Sequence, residues 1–240
     1  MESDKKTKGK LYLIPTTLGD NEPLEVLPIS IKRVIEAVDH YIVENEKSAR
    51  RAIKKISPRK PQSGLHIEVL NKYTEEESLP TFLQPCLEGF NVGIISEAGC
   101  PGIADPGANV VAIAHQKNIQ VVPLTGPSSI VLALMSSGMN GQNFAFNGYL
   151  PIDLADCKKT IKSLERKSRE INQSQIFIET PYRNDKLFRE LLTTLSGNTQ
   201  LCIACDITLS TEDIRTKRIS DWKKSTVDLN KRPAIFIIQA

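Results

Sequence analysis

A chain of 240 residues, 40% hydrophobic and 25% charged, is long enough for one large or two modest α/β domains and ordinary for a globular protein. The first ten residues, MESDKKTKGK, carry no apolar core, and no apolar run approaches membrane-spanning length, so a signal peptide and a transmembrane anchor are not expected. Five cysteines, an odd number in a chain without a signal, argue against a disulfide framework, and a cytoplasmic location is expected.

The elements alternate along the chain. Residues 1–9 are expected to lack structure. Residues 10–17 (KLYLIPTT) read as a first strand that stops at Pro15. The spacing of Ile31, Val34, Ile35 and Val38 predicts a helix over 28–38, and 40–44 a second strand. A basic helix at 46–56 precedes a third strand at 65–70. A helix is expected over 79–88, with Pro80 in its first turn. Residues 92–95 form a buried strand, a helix ends near Lys117, and 120–124 is a fifth strand. Strands alternating with helices imply parallel βαβ units. A second unit begins at 125–129, the entry to a helix over 130–135. Further strands are expected at 143–150, 175–179, 201–209, 213–219 and 234–239, with helices at 155–170 and 184–195. Strands crowding together late suggest a mixed sheet. The expected division is 1–124 and 125–240.

The stretch 92–107, VGIISEAGCPGIADPG, is the centre of this layout. It runs from strand to loop to helix, and the loop is built from Gly99, Pro101, Gly102, Pro106 and Gly107. Glycine admits a ligand close to the backbone and proline holds the loop in one shape. Such residues after a buried strand argue for a ligand loop over a plain crossover. Asp105 is placed to cap the helix that follows. Ser128 and Ser129 stand at another helix start, which is either a plain cap or a seat for a carboxylate or phosphate. Residues 47–60 carry seven Lys/Arg and 158–169 carry six, enough to keep an anionic partner in view. Cys202 and Cys205 share C-x-x-C spacing within a predicted strand, where residues three apart face opposite ways, so no redox or zinc site is expected.

Four loops, 15–20, 96–107, 125–129 and 179–183, leave the carboxyl ends of predicted strands. None holds a serine–histidine–acid set, a G-x-x-x-x-G-K-[ST] loop or a metal cluster. What remains is chemistry that positions a reactive cofactor.

Five stretches carry a resemblance: LIPTTLGD (13–20), SEAGCPGIADPG (96–107), VPLTGPSS (122–129), GYLP (148–151) and FIETPYR (177–183). Together they resemble the tetrapyrrole methylase superfamily, the class III S-adenosylmethionine-dependent methyltransferases. The branch that methylates a ribose 2′-oxygen of small-subunit ribosomal RNA is the most similar. The resemblance implies a parallel-sheet N-terminal α/β domain, a mixed-sheet C-terminal α/β domain, a cofactor cleft between them, and a homodimer. It assigns S-adenosylmethionine to Pro15, Gly99, Cys100, Pro101, Ile103, Ser128, Ser129, Thr180 and Ala234, and it makes ribosomal RNA the expected partner. No metal is implied. The chain departs from that branch at Val43-Glu44-Asn45-Glu46-Lys47, where the branch reads Ala-Glu-Asp-Thr-Arg, and at Glu97 and Cys100. At 205–209 a strand with two basic residues reads Cys-Asp-Ile-Thr-Leu.

Transfer to a ribose hydroxyl requires in-line placement and removal of a proton. Glu97, Asp20 and Glu46 are the candidate bases, and Arg183 is a candidate for holding a phosphate or the developing oxyanion. For Glu97 the plain alternative is a hydrogen bond that braces its loop. Two rival readings are a methyltransferase acting on a tetrapyrrole or other small molecule, and a non-catalytic cofactor-binding module.

Overall fold

The computed structural model describes residues 7–71 and 73–240. The chain divides into two compact units, one up to Ser128 and one from Ser129 to Ala240. Of the residues expected to lack structure, 1–6 lie outside the described residues. Lys8 and Gly9 are tied into the first unit. The Gly9 amide donates to the Cys86 carbonyl (2.8 Å) and Lys8 Nζ to the Lys117 carbonyl (2.6 Å).

The first unit comprises β1 (Leu11–Ile14), α1 (Pro23–Val26), α2 (Ser30–Ala37), β2 (His40–Val43), α3 (Glu46–Ile56), β3 (His66–Val69), a 3₁₀ segment (Glu76–Leu83), α4 (Gln84–Leu87), β4 (Val92–Ile95), α5 (Gly107–Gln116) and β5 (Val121–Pro123). Its five strands are all parallel, in the order β3-β2-β4-β1-β5. β4 is buried along its whole length, as a strand covered on both faces must be. One face packs Ile14, Tyr41 and Val43 against Ile31, Ile35, Ile53 and Ile56, and the other packs Leu11, Ile42 and Ile94 against Leu83, Val110 and Ala114. The helix expected over 79–88 is instead the 3₁₀ segment followed by the single turn of α4. Pro80 lies inside the first and Pro85 at the start of the second, and a proline supplies no amide to an α-helical ladder. The first strand ends at Ile14, because Pro15 cannot continue the pairing. α1 has no counterpart among the elements expected from the sequence.

The second unit comprises α6 (Ser129–Ser137), β6 (Phe144–Tyr149), α7 (Leu154–Ile171), β7 (Ser174–Ile178), α8 (Asn184–Thr194), β8 (Gln200–Cys205), β9 (Asp213–Arg218), α9 (Ile219–Trp222) and β10 (Ala234–Gln239). The sheet runs β6-β7-β10-β8-β9. Only β6 and β7 pair in parallel, so this sheet is mixed. α7 and α8 bring Ile161, Leu187 and Leu191 onto Phe177, Ile203 and Phe236. The strand expected over 201–209 breaks at Cys205, because Asp206 and Thr208 adopt positive φ (48° and 74°) and turn the chain. Among the described residues no helix is long and apolar enough to cross a membrane.

Candidate active site

In the first unit the strand order decides which loops meet. β1 lies between β4 and β5, with Ile14 beside Ile95 and Leu13 beside Pro123. The three loops that follow these strands therefore leave the same edge of the sheet side by side. Hydrogen bonds to backbone carbonyls tie them together. The Thr16 amide donates to the Gly99 carbonyl (3.0 Å), and Thr16 Oγ1 to the Ser96 carbonyl (3.3 Å). Ser96 Oγ donates to the Gly99 carbonyl (3.1 Å), and Cys100 Sγ lies 3.3 Å from the Pro127 carbonyl.

Two glycines make this apposition possible. A Cβ on Gly126 would lie 2.2 Å from Pro15 Cγ, where no side chain fits. Gly99 holds φ +72°, and its Cβ would lie 3.1 Å from both Leu18 Cδ2 and the Pro127 carbonyl oxygen. Asp105 locks the far end of the loop. Its carboxylate accepts from the Gly102 amide (2.9 Å) and from the Gly107 amide (2.7 Å) at the start of α5. Pro15 and Pro101 are buried, whereas Ile103 is 51% exposed. The loop thus offers backbone and one open apolar side chain. Such a surface suits a flat, polar-edged organic group.

Ser128 closes this unit one residue before α6 and is half-buried. Ser129 opens α6 in the second unit. There the pairing of Ile235 with Ile178 places Ala234 and Thr180 at the same end of the sheet; Ala234 is buried and Thr180 exposed. Arg183 is ion-paired: its Nη2 lies 2.6 Å from Glu179 Oε2, whose side chain is 4% exposed, and Glu179 Oε1 also accepts from the Thr180 amide (2.7 Å).

Of the charged candidates of the first unit, Asp20 and Glu97 line a cavity of about 380 Å³, and Glu46 does not. Its walls are the 16–21 loop, one face of α3, and Ile95, Ser96 and Glu97. Asp20 is committed to Lys55 Nζ at 2.8 Å, and this bond and charge hold its carboxyl below the ordinary range. A carboxylate so held accepts a proton poorly. Glu46 pairs with Arg50 at 2.8 Å. Glu97 is different. Its carboxylate accepts a hydrogen bond from Ser48 Oγ in the first turn of α3, a position that helix polarity favours for an anion. Its amide donates to Glu44 Oε1 (3.2 Å).

Glu44 joins Glu97 at this edge, a placement that sequence reasoning did not single out. Burial pushes its carboxyl up, opposed by the hydrogen bond from the Glu97 amide and reinforced by the negative charges of Asp105 and Glu97. The signal lay in its place: it directly follows β2, the central neighbour of β4, as Glu97 follows β4 by one residue more. Both carboxylates therefore emerge from adjacent strand ends.

No family model matches the sequence. Curated relatives carry the name "Ribosomal RNA small subunit methyltransferase I". The one from Synechocystis sp. is 30% identical over 203 residues, covering 83% of this chain and 67% of the relative. The one from Escherichia coli O157:H7 is 25% identical over 241 residues, covering 99% and 80%. Solved structures share the fold. Diphthine synthase matches with a TM-score of 0.67 at 12% identity over 96% of this chain and 89% of its own. The methyltransferase CobJ matches with a TM-score of 0.64 at 14% identity over 96% and 94%. Uroporphyrin-III C-methyl transferase from Thermus thermophilus, complexed with S-adenyl homocysteine, matches with a TM-score of 0.57 at 15% identity over 96% and 97%.

Proposed function

This chain belongs to the ribosomal RNA small subunit methyltransferase I family of tetrapyrrole methylases, and from that premise we propose that it methylates a ribose 2′-oxygen of ribosomal RNA. It is an S-adenosylmethionine-dependent methyltransferase. The observation that carries the reading is the glycine–proline backbone at 99–107, drawn against Pro15 and Pro127 where a Cβ on Gly126 or Gly99 would crowd the neighbouring loop. We assign the cofactor to that backbone with Pro15, Gly99, Cys100, Pro101, Ile103 and Ser128; for Ser129, Thr180 and Ala234 of the second unit the resemblance alone supports the assignment. When bound, the sulfonium supplies the methyl group and keeps the electron pair of the bond that breaks.

Glu97 is the residue we assign to the acceptor hydroxyl. It takes the proton as the oxygen becomes methylated, and Ser48 and Glu44 fix its place through the hydrogen bonds above. Asp20 and Arg183 act through their ion pairs, which hold the 16–21 loop and the 179–183 turn in shape. The reading includes a cytoplasmic homodimer, the assembly tested by sedimentation.

The deciding experiment supplies isotope-labelled S-adenosylmethionine and small ribosomal subunits from a strain lacking this gene. Digestion of the RNA to nucleosides should yield one labelled 2′-O-methyl nucleoside. If calorimetry shows the cofactor bound and no label reaches RNA, the ribosomal reading fails and small-molecule acceptors, tetrapyrroles included, become the candidates. No transfer to any acceptor supports a non-catalytic module.

A further inference from the structure

The cavity beside α3 has a chemical asymmetry that points to one kind of ligand. Of its two cations, Lys55 is neutralised by Asp20. Arg51 lies exposed on the same wall and makes no ion pair among the described residues. One turn earlier on the same helix stands Ser48, whose hydroxyl is in contact with the Glu97 carboxylate. The lining also includes the apolar side chains of Leu27, Ala52 and Ile56. A ligand that satisfies these groups carries an anion, hydroxyls close beside it, and a flat weakly polar body. Its volume, about 380 Å³, falls in the range of roughly 300–1,000 Å³ typical of sites for single small molecules.

We propose that this cavity receives one ribonucleotide unstacked from the RNA chain, with its phosphate on Arg51, its ribose hydroxyls on Ser48 and Glu97, and its base against Leu27 and Ile56. The proposal rests on the RNA reading above and specifies how that site selects its target. RNA-binding proteins read single-stranded nucleotides whose bases are splayed out of the stack, and a guanidinium is suited to bidentate contact with phosphate. The carboxylate accepts hydrogen bonds from ribose and finds no partner at the 2′ position of a deoxyribose. The cavity is thus selective for RNA over DNA through Glu97, and its affinity comes through Arg51. Arg51 lies on α3 and Glu97 precedes the 99–107 backbone assigned to the cofactor, so the two binding events are separable.

The test uses the full chain and the four ribonucleoside 5′-monophosphates, each beside its 2′-deoxy counterpart, with binding followed by amide chemical shifts. At least one ribonucleotide should shift residues 16–21, 48–56 and 95–97, and its deoxy counterpart should bind several-fold more weakly. Arg51→Ala should weaken both by about tenfold, the loss of a charge-assisted hydrogen bond. Glu97→Ala, with Ser48→Ala as a second variant, should bring ribose and deoxyribose forms to the same affinity while calorimetry shows S-adenosylmethionine binding unchanged. Thermal melts establish that the variants are folded. Inorganic phosphate is the control: if it alone reproduces every shift and no ribose preference exists, the cavity is an anion site and the proposal is overturned. Absence of shifts at these residues for every nucleotide at saturation also overturns it. If the wild type methylates ribosomal RNA in that case, the proposed function stands without the cavity. If nucleotides bind as expected and RNA is not methylated, the cavity stands and the acceptor is wrong.

Discussion

Gly126→Ala is the sharpest test of how the site is assembled. The added methyl would sit 2.2 Å from Pro15 Cγ and 2.3 Å from Pro15 Cβ, against an ordinary carbon–carbon contact of about 3.5–4.0 Å. The two loops must separate by more than 1 Å, and the proline ring has no rotamer by which to yield. Overpacking of this kind costs about 1–3 kcal/mol, and the rigidity on both sides places Gly126→Ala near the upper figure. For a unit of this size 1 kcal/mol corresponds to roughly 4 °C, so a fall in Tm of about 10 °C is expected by calorimetry. The separation would pull Pro15 and the Thr16–Gly99 hydrogen bond away from the 99–103 backbone, so S-adenosylmethionine affinity should fall as well. Gly64→Ala is the control, because a Cβ there meets nothing within 4 Å; its Tm should match the wild type. If Gly126→Ala also melts and binds the cofactor like the wild type, the close apposition of the 15–20 and 125–128 loops is not what shapes the site.

Asp105→Ala removes the acceptor shared by the Gly102 and Gly107 amides and should cost about 1–2 kcal/mol in urea unfolding, with weaker cofactor binding because the loop loses its clamp. Cys100, half-buried in the same loop, should be alkylated before Cys86 and Cys205, whose thiols burial pushes up to about 11, and bound S-adenosylmethionine should protect it; equal rates with and without the cofactor, read by mass spectrometry, would place the cofactor elsewhere. His40 stacks on His66 with ring centroids 4.7 Å apart, and burial, then the charge of His66, lowers its pKa from 6.5. A lowered histidine pKa means that the unfolded chain binds the proton more readily, so stability present above pH 6.5 is lost as pH falls through the folded value. His40→Gln should flatten that part of the stability–pH curve; an unchanged slope would show that the pair does not set it.

Much of this architecture is legible from the sequence because the signals are local. The run VGII before a glycine–proline loop can only be a strand covered on both faces, and the apolar spacing of 184–195 describes a helix whose Leu187 and Leu191 do reach the core. Local signals fail where two prolines five residues apart fall within one apparent helix, as at Pro80 and Pro85, and where Asp206 and Thr208 take positive φ in a stretch whose composition reads as strand. The site has the same division. Gly99, Pro101 and Asp105 are recognisable by type. Which carboxylate is left without a cation is not, because that depends on strand order. β2 and β4 are neighbours although β3 separates them in the chain, and only this adjacency sets Glu44 beside Glu97.

The same adjacency explains why Asp20, Glu46 and Glu97, equivalent as letters near strand ends, are not equivalent as groups. Lys55, toward the carboxyl end of α3, claims Asp20; Arg50 lies one turn from Glu46 and claims it. Glu97 meets the amino end of α3, where the side chain on offer is the neutral hydroxyl of Ser48. The bond and charge of Lys55 hold the Asp20 carboxyl below the ordinary range, Glu46 is taken up by the Arg50 guanidinium, and Glu97 meets no cation but a hydroxyl. Helix α3 therefore sorts the candidates by where its cations fall, and a shift of register by one residue would change which carboxylate is proposed as the base. Exchanging Ser48 for lysine tests this directly: Ser48→Lys should abolish methyl transfer by claiming Glu97 while leaving the fold and cofactor affinity intact, and retained turnover would remove Glu97 from the reaction.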